Sequence, residues 1–290
     1  MNTLILGGSG IIGNHLKKYF SKSSNYDSHE FIYADSKMIN LLDIYSIKSY
    51  FLNRVPFNNI IFLVGLAHSK GKKKEIEDFN RLNYLSLKNT LETLSSIQKI
   101  PQKLIFGSTI SIYGERYDQK KYKEDTSREP FSPYALTKLY AENYLISYYK
   151  KISYILRFAP VYSKSFDLNI IRRTKINFFF YKVGDGGQKL SLCHAGNIFL
   201  VIESILKNVL PKGIYNISDV DEYNYNDLLD YKNAKKFLII PRILISLTYL
   251  LSRIIDNTFL RENCIKLLSD NVYCSKKIQK YVKLEYTLKQ

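Results

Sequence analysis

The stretch LGGSGIIG, residues 6–13, sets glycines at positions 7, 10 and 13 directly behind the apolar run TLIL. Glycine costs backbone entropy and packs nothing, so three at this spacing mark a place where bare backbone is needed. A strand predicted over 3–7 and an amphipathic helix over 11–21 supply the context: strand, glycine loop and helix within one βαβ unit. In such a unit the first glycine permits a tight turn, the second lets backbone approach a pyrophosphate, and the third lets helix pack on strand. The N–H groups that open the helix, at Ile11 and Ile12, then face the phosphates. Asp35 ends the second apolar run, FIYAD, 22 residues after Gly13, where a ribose 2′-hydroxyl needs an acceptor. Gly7, Gly10, Ile11, Ile12, Gly13 and Asp35 therefore predict a dinucleotide site. A carboxylate at Asp35 repels a 2′-phosphate and favours NAD, whereas Lys37 would neutralise that phosphate and keeps NADP open.

The chain keeps alternating after this unit. DIYSIKSYFLN (43–53) has helical period and NIIFLVGLA (59–67) reads as a strand buried on both faces. Residues 76–97 repeat apolar positions at helical spacing, KLIFGST (103–109) is strand-like, 133–150 helical, and SYILRF (153–158) strand-like again. The pattern predicts an α/β fold, a doubly wound (Rossmann) parallel sheet with helices on both faces. Past residue 160 the alternation loosens. The expected division is a dinucleotide-binding Rossmann domain over 1–160 and a smaller, mainly substrate-binding C-terminal lobe over 161–290, with segments returning to the first domain.

Forty-three Lys and Arg against 26 Asp and Glu leave a net charge of +17. The lysines are spread along the whole chain beside abundant Asn, Ile and Tyr, with no nucleic-acid motif, so no nucleic-acid partner is expected. An anionic small substrate suits the charge. Cys193, Cys264 and Cys274 lack metal-ligand spacing, and His15, His29, His68 and His194 form no cluster, so no metal is expected and a reducing cytoplasm fits best. No basic leader or small-residue cleavage site accompanies the first strand. The most apolar segment, 237–255, is interrupted by Pro241, Arg242 and Arg253 and is too short to cross a bilayer. It predicts a surface-lying or core helix, with contact at an anionic membrane surface left open. His194 and Cys193 read as structural, and the Tyr and Phe excess, including FFFY at 178–181, as packing.

Tyr134 and Lys138 stand at i and i+4 of the helix predicted over 133–150, so phenol and ammonium share a face. A neighbouring cation favours phenolate and is expected to lower the tyrosine toward neutrality, as proton transfer requires. Ser108 and Thr109 end the preceding strand on the cofactor side of such a sheet.

Together, GGSGIIG, the Asn83 helix, GSTISIYG and SPYALTK resemble the extended short-chain dehydrogenases/reductases, the NAD-dependent epimerase/dehydratase family, over about the first 220 residues. The resemblance implies that Thr109 is catalytic, hydrogen-bonding the reacting oxygen. Tyr134 is the general acid/base, and Lys138 holds the nicotinamide ribose and tunes Tyr134. It further implies that Asn83 braces the cofactor region and that Val64, Gly65 and Leu66 line the nicotinamide side. The chemistry implied is reversible hydride transfer on a nucleotide-activated sugar for surface-polysaccharide precursors, with the second lobe gripping the diphosphate. Ile110 and Ser111 stand where the family's dehydratases carry an Asp-Glu pair, which argues against water elimination. The second-lobe segment GDGGQKLSLCHAGNI reads Leu190 at the usual arginine and Gly196 and Asn197 at the usual aspartates, leaving Lys189 and Arg172 as candidates for the diphosphate. A reductase of a 4-keto sugar nucleotide is the expected activity; a 4-epimerase with tightly bound NAD and a non-catalytic dinucleotide sensor are the alternatives. Family members pair as dimers through two helices per subunit, and the helices over 76–97 and 133–150 would serve a homodimer here.

Overall fold

A computed structural model describes residues 1–23, 26, 28–66, 76–114, 116 and 121–289; His68 lies outside them. Along the chain run β1 (Asn2–Leu6), α1 (Ile11–Phe20), β2 (Glu30–Ala34), α2 (Ile44–Leu52), β3 (Asn59–Phe62), α3 (Ile76–Asn80), a π-helical turn (Arg81–Leu85), α4 (Ser86–Ser96) and β4 (Lys103–Thr109). A 3-10 turn (Ile110–Tyr113) leads to β5 (Lys121–Tyr122), α5 (Pro133–Tyr148), β6 (Ser153–Phe158), β7 (Val161–Tyr162), α6 (Leu168–Thr174), β8 (Lys175–Ile176) and β9 (Phe179–Val183). There follow β10 (Cys193–His194), α7 (Ala195–Leu206), β11 (Gly213–Ile217), α8 (Tyr225–Tyr231), β12 (Phe237–Ile240), α9 (Arg242–Ile254), α10 (Thr258–Leu268), β13 (Val272–Tyr273) and α11 (Lys276–Gln279).

Two compact units emerge, one of Met1–Thr109, Pro133–Arg157 and Ile202–Tyr215, the other of Ile110–Ser132, Phe158–Val201 and Asn216–Gln290. The central six-stranded parallel sheet has the order β11-β6-β4-β3-β1-β2 and is flanked by helices, the doubly wound α/β fold. Every residue of β3 and β4 is buried. Helices cover both faces of these strands, which explains their continuous apolar runs in place of alternation. Against the sheet, α1 buries Gly13, Leu16 and Phe20, one stripe of a helix. The core of the first unit gathers Leu4, Leu6, Ile60, Phe62, Leu104 and Phe106 from the strands with Leu87, Leu91, Leu94, Ala141 and Leu145 from the helices. The strand order reverses direction between β1 and β3. Ligands of open α/β sheets bind outside the carboxyl ends of the strands at such a point.

Two expectations of local structure change here. The strand read over 59–67 stops at Phe62, and the helix read over 76–97 is interrupted by the π-turn.

In the second unit β10 pairs with β7, β13 with β5, and β12-β9-β8 form a small sheet. Its core holds Tyr162, Ile170, Leu190, Leu192, Tyr223, Tyr225 and Leu228. Tyr122 stacks on Tyr273 at 5.1 Å between ring centres. FFFY is not uniformly packed, however. Asn177, at φ 52°, and Phe178 form the turn between β8 and β9, which leaves Phe178 89% exposed and Phe179 exposed while Tyr181 is buried. A two-residue turn at a sheet edge has no neighbour to cover it. The apolar 237–255 segment forms β12 and α9 at the surface, and no helix among the described residues is long and apolar enough to cross a membrane.

Candidate active site

The glycine loop follows β1 at the reversal point of the sheet. Gly7 has φ +85°, a left-handed backbone that glycine adopts without penalty. A Cβ there would lie 2.9 Å from the backbone N of Val64, just past β3. At Gly8 a Cβ would meet Tyr33 at 2.7 Å, and at Gly13 it would lie 2.5 Å from the carbonyl of Gly8. Gly10 is the N-cap of α1 and gives it no side-chain cap. No acidic residue stands in the first turn, so the N–H groups of Ile11 and Ile12 keep the positive end of the helix dipole clear for an anion. Asp35 follows β2 and bonds its own turn, one carboxylate oxygen accepting from Lys37 N at 2.9 Å and Met38 N at 3.3 Å. The turn fixes the carboxylate and leaves its second oxygen for a hydroxyl. These features fit a dinucleotide: a cradle of bare backbone, an uncapped helix start and a carboxylate at the neighbouring strand end.

Asn83 holds the chain that follows β3. The fully buried side chain accepts from Leu66 N at 2.6 Å and donates to Leu66 O at 3.3 Å and to Thr137 Oγ1 at 3.0 Å. A side-chain amide thus replaces a neighbouring strand for the backbone of Leu66. The π-turn carries Asn83, and such local rewinding of a helix is frequent at functional sites. Val64 O accepts from Lys138 Nζ at 3.3 Å. Gly65 lies between them; a Cβ on it would stand 3.0 Å from Lys138 Nζ and 3.1 Å from Asn83 Oδ1. Val64, Gly65, Leu66, Asn83 and Lys138 are therefore brought together.

Thr109, buried at the end of β4, hydrogen-bonds the phenol of Tyr134 in the first turn of α5. One turn on, Lys138 is buried; its ammonium donates to Gly107 O at 2.9 Å and lies 4.7 Å over the Phe106 ring. Burial pushes Lys138 down to about 8, and the carboxylate of Glu142 pulls against it. The expected lowering of Tyr134 does not occur. Burial raises its phenol above the ordinary value, with only the Thr109 hydrogen bond opposing. The reason is the direction of the Lys138 ammonium, which satisfies backbone carbonyls of β4 and the β3 loop instead of the phenol. Tyr134 is thus a neutral proton donor in this arrangement.

Beneath Lys138 lies a group that sequence reasoning missed. Glu142 and Arg157 are 0% and 1% exposed. Arg157 donates to Glu142 through Nη2 at 2.7 Å and Nε at 3.0 Å, and Ser108 Oγ donates to the same carboxylate at 2.6 Å. Tyr134, Lys138 and Glu142 follow at i, i+4 and i+8 on α5. The available signal was an arginine inside the buried strand SYILRF, a charge that requires a partner.

The diphosphate candidates lie in the other unit. Arg172 is exposed in the last turn of α6. Exposed Lys189 sits 3.5 Å from Glu222, which also takes Lys121 at 2.8 Å. Beside Lys189, Gln188 is buried with both amide atoms lacking a hydrogen-bond partner, an uncompensated cost that a bound polar group would remove. His194 accepts from Gly196 N at 3.0 Å and stacks on Tyr286 at 4.9 Å. A Cβ at Gly196 would meet that ring at 2.6 Å. Burial raises the Cys193 thiol well above its ordinary value. Among the described residues no three His, Cys, Asp or Glu side chains group as metal ligands.

Several solved structures share the fold. ADP-L-glycero-D-manno-heptose-6-epimerase from Helicobacter pylori is 14% identical with a TM-score of 0.71, covering 99% of this chain and 92% of its own. UDP-glucuronic acid 4-epimerase from Bacillus cereus, solved with NAD, is 19% identical with a TM-score of 0.69 over 99% and 94%. A dTDP-4-dehydrorhamnose reductase from Clostridium acetobutylicum is 17% identical with a TM-score of 0.66 over 83% of each chain. No curated protein sequence matches. The profile of the NAD dependent epimerase/dehydratase family matches residues 3–218, from the glycine loop through β11, and the chain belongs to that family.

Proposed function

We propose that the protein is an NAD(P)-dependent oxidoreductase that reduces a 4-keto nucleotide sugar. The observation that carries the reading is the assembly of Thr109, Tyr134 and Lys138 at the strand ends next to the glycine cradle. When bound, the nicotinamide supplies or takes the hydride. Gly7, Gly10, Gly13 and the N–H groups of Ile11 and Ile12 hold the pyrophosphate, and Asp35 the adenosine ribose. Thr109 orients the reacting oxygen, and the neutral Tyr134 delivers its proton to that oxygen. Lys138 steadies the nicotinamide ribose. Ile110 and Ser111 beyond Thr109 provide no acid-base pair for dehydration. Arg172, Lys189 and the unpartnered Gln188 are the groups for the nucleotide end of the substrate. Asp35 favours NAD, with Lys37 admitting NADP. The tyrosine-lined face of the π-turn, α4 and α5, including Tyr84, Tyr144 and Tyr148, suits a homodimer.

Native mass spectrometry of the purified protein, repeated after denaturation, tests the reading. A cofactor-free chain that binds added NADH or NADPH supports the reductase. Released NAD at one per chain supports the dinucleotide site but turns the assignment to a 4-epimerase, which retains its cofactor. Failure to retain or bind either dinucleotide overturns the reading. Tyr134→Phe is expected to bind dinucleotide normally and lose turnover by about 10²–10⁴-fold. Unchanged biological activity in that variant would make the protein a sensor.

A further inference from the structure

Helix α9 turns its apolar side outward. Ile243, Leu244, Leu247, Leu250, Leu251 and Ile254 are each more than half exposed, Ile254 at 79%. Their spacing, i, i+1, i+4, i+7, i+8 and i+11, is one continuous stripe of a 3.6-residue helix. The other side is the one that packs, with Ser252 buried and Ser246, Thr248 and Tyr249 half-buried. Thr248 and Ser252 return their hydroxyls to Leu244 O and Tyr249 O. The polar side chains are thereby satisfied within the helix, and the stripe is left for an external surface. Monomeric proteins rarely expose so large a contiguous apolar patch without an interaction behind it.

The small sheet extends this surface, since Pro241 alone separates β12 from α9. β12 is an edge strand, and Phe237 and Ile239 alternate onto one face with their partners Phe180 and Lys182 on β9. Lys182 lies 5.0 Å over the Phe237 ring and Lys175 5.5 Å over that of Phe180. The Lys182 ammonium is held there, donating to Asn226 Oδ1 at 2.8 Å and Asp185 O at 3.2 Å, so the outward charge of this surface comes from the exposed Lys235, Lys236 and Arg253. From 235 to 255 the sequence holds Lys235, Lys236, Arg242 and Arg253 and no Asp or Glu.

We propose that α9 and the outward face of β12 dock on an anionic lipid bilayer. The helix lies in the membrane plane with its stripe at the headgroup boundary, and the flanking cations meet lipid phosphates. At 13 residues it spans about 20 Å, short of a bilayer's hydrocarbon core. Charge selects the bilayer over a second copy of this chain. Antiparallel pairing about the middle of the stripe brings the Arg242 end of one helix to the Arg253 end of the other, and parallel pairing sets like ends together. The exposed Asp256 just past α9 offsets only one of the four cations Lys235, Lys236, Arg242 and Arg253, so two such segments, each net +3, repel. The proposal does not depend on the reaction catalysed.

The test uses the full chain and sedimentation with phosphatidylcholine vesicles, with and without phosphatidylglycerol. Because the chain has no Trp, Leu250→Trp places a sole reporter in the stripe. The protein should sediment with the anionic vesicles at low salt, and the Leu250→Trp emission should shift to the blue on them. Leu247→Glu with Leu251→Glu should weaken binding by roughly tenfold or more, the surface-exposed changes leaving melting temperature and dinucleotide binding intact. No sedimentation with anionic vesicles, or no blue shift, overturns the proposal. So does equal binding without phosphatidylglycerol, or unchanged binding of the double variant. A dimer in analytical ultracentrifugation that the double variant dissociates would assign the stripe to a second copy and also overturn it.

Discussion

Removing the negative charge of Glu142 while keeping its shape, by Glu142→Gln, isolates the buried pair beneath Lys138. Glutamine can still accept the Ser108 hydroxyl, so that bond survives. Arg157 is the loser: its guanidinium, 1% exposed, keeps its charge and has only a neutral amide where two carboxylate oxygens stood. Breaking one partner of a buried pair costs about 3–5 kcal/mol, because the remaining charge is left without compensation. For a chain of this size that corresponds to a drop of roughly 10 °C in melting temperature. Thermal unfolding followed by circular dichroism measures it. The companion variant, Glu142→Leu with Arg157→Met, removes both charges and should recover most of the loss, less about 1 kcal/mol for the Ser108 acceptor. Losing the carboxylate also removes the group that opposes the lowering of Lys138, so the Lys138 ammonium should titrate below about 8. A cost under about 1 kcal/mol for Glu142→Gln, or a double variant as unstable as the single one, would refute the uncompensated-charge reasoning.

The remaining predictions concern the binding surfaces. Gly13→Ala places a methyl 2.5 Å from the Gly8 carbonyl, backbone that cannot swing aside, and should cost about 1–3 kcal/mol and weaken NADH binding at least tenfold, read by fluorescence titration. With Lys138 lowered to about 8 in the folded protein, its charged form dominates below that pH. Dinucleotide affinity should hold from pH 6 to 7.5 and decline as pH rises through about 8, and Lys138→Met should flatten the profile. The sign for stability is opposite: the unfolded chain binds this proton more tightly between about 8 and 10.5, so the Lys138 contribution improves as pH rises across that window. Gln188→Leu removes two unpartnered buried polar atoms and should leave melting temperature unchanged or higher, while raising the KM for a nucleotide sugar severalfold. A stability loss without a KM effect would make Gln188 structural.

The doubly wound sheet was legible because its signals are local. Continuous apolar runs separated by helical periodicity required a covered sheet, and the glycines that sterics demand at 7 and 13 also carry the motif. Tyr134 and Lys138 were picked out by helix spacing and their place after a strand, and Thr109 by the family resemblance. What stayed hidden depends on contacts distant in sequence. Nothing near Asn83 reveals that its amide will hold Leu66, 17 residues earlier. The partnership of Ser108, Glu142 and Arg157 joins two strands and a helix. Phe178 and Phe179 read as core by composition, but the hairpin turn at Asn177 decides their exposure. The same applies to α9, which read as a surface-lying or core helix without saying which side would face inward.

The failed expectation for Tyr134 shows how the site is organised. Lys138 carries three N–H donors, and two are used by Val64 O and Gly107 O. Those carbonyls belong to the loop after β3 and to β4, two neighbouring strands of the central sheet. The lysine therefore ties the floor of the site together and has one donor left for a ribose hydroxyl. A phenol lowered toward neutrality by direct contact would take that donor and leave the carbonyls buried and unpaired. Keeping Tyr134 neutral and bonded to Thr109 instead preserves its proton for an oxygen that arrives with substrate, which is the protonation state that reduction of a ketone consumes. Oxidation of an alcohol needs the phenolate instead. In this arrangement the balance of burial against one hydroxyl favours the reductive direction below the raised phenol pKa, and it predicts that the oxidative rate, not the reductive one, climbs with pH.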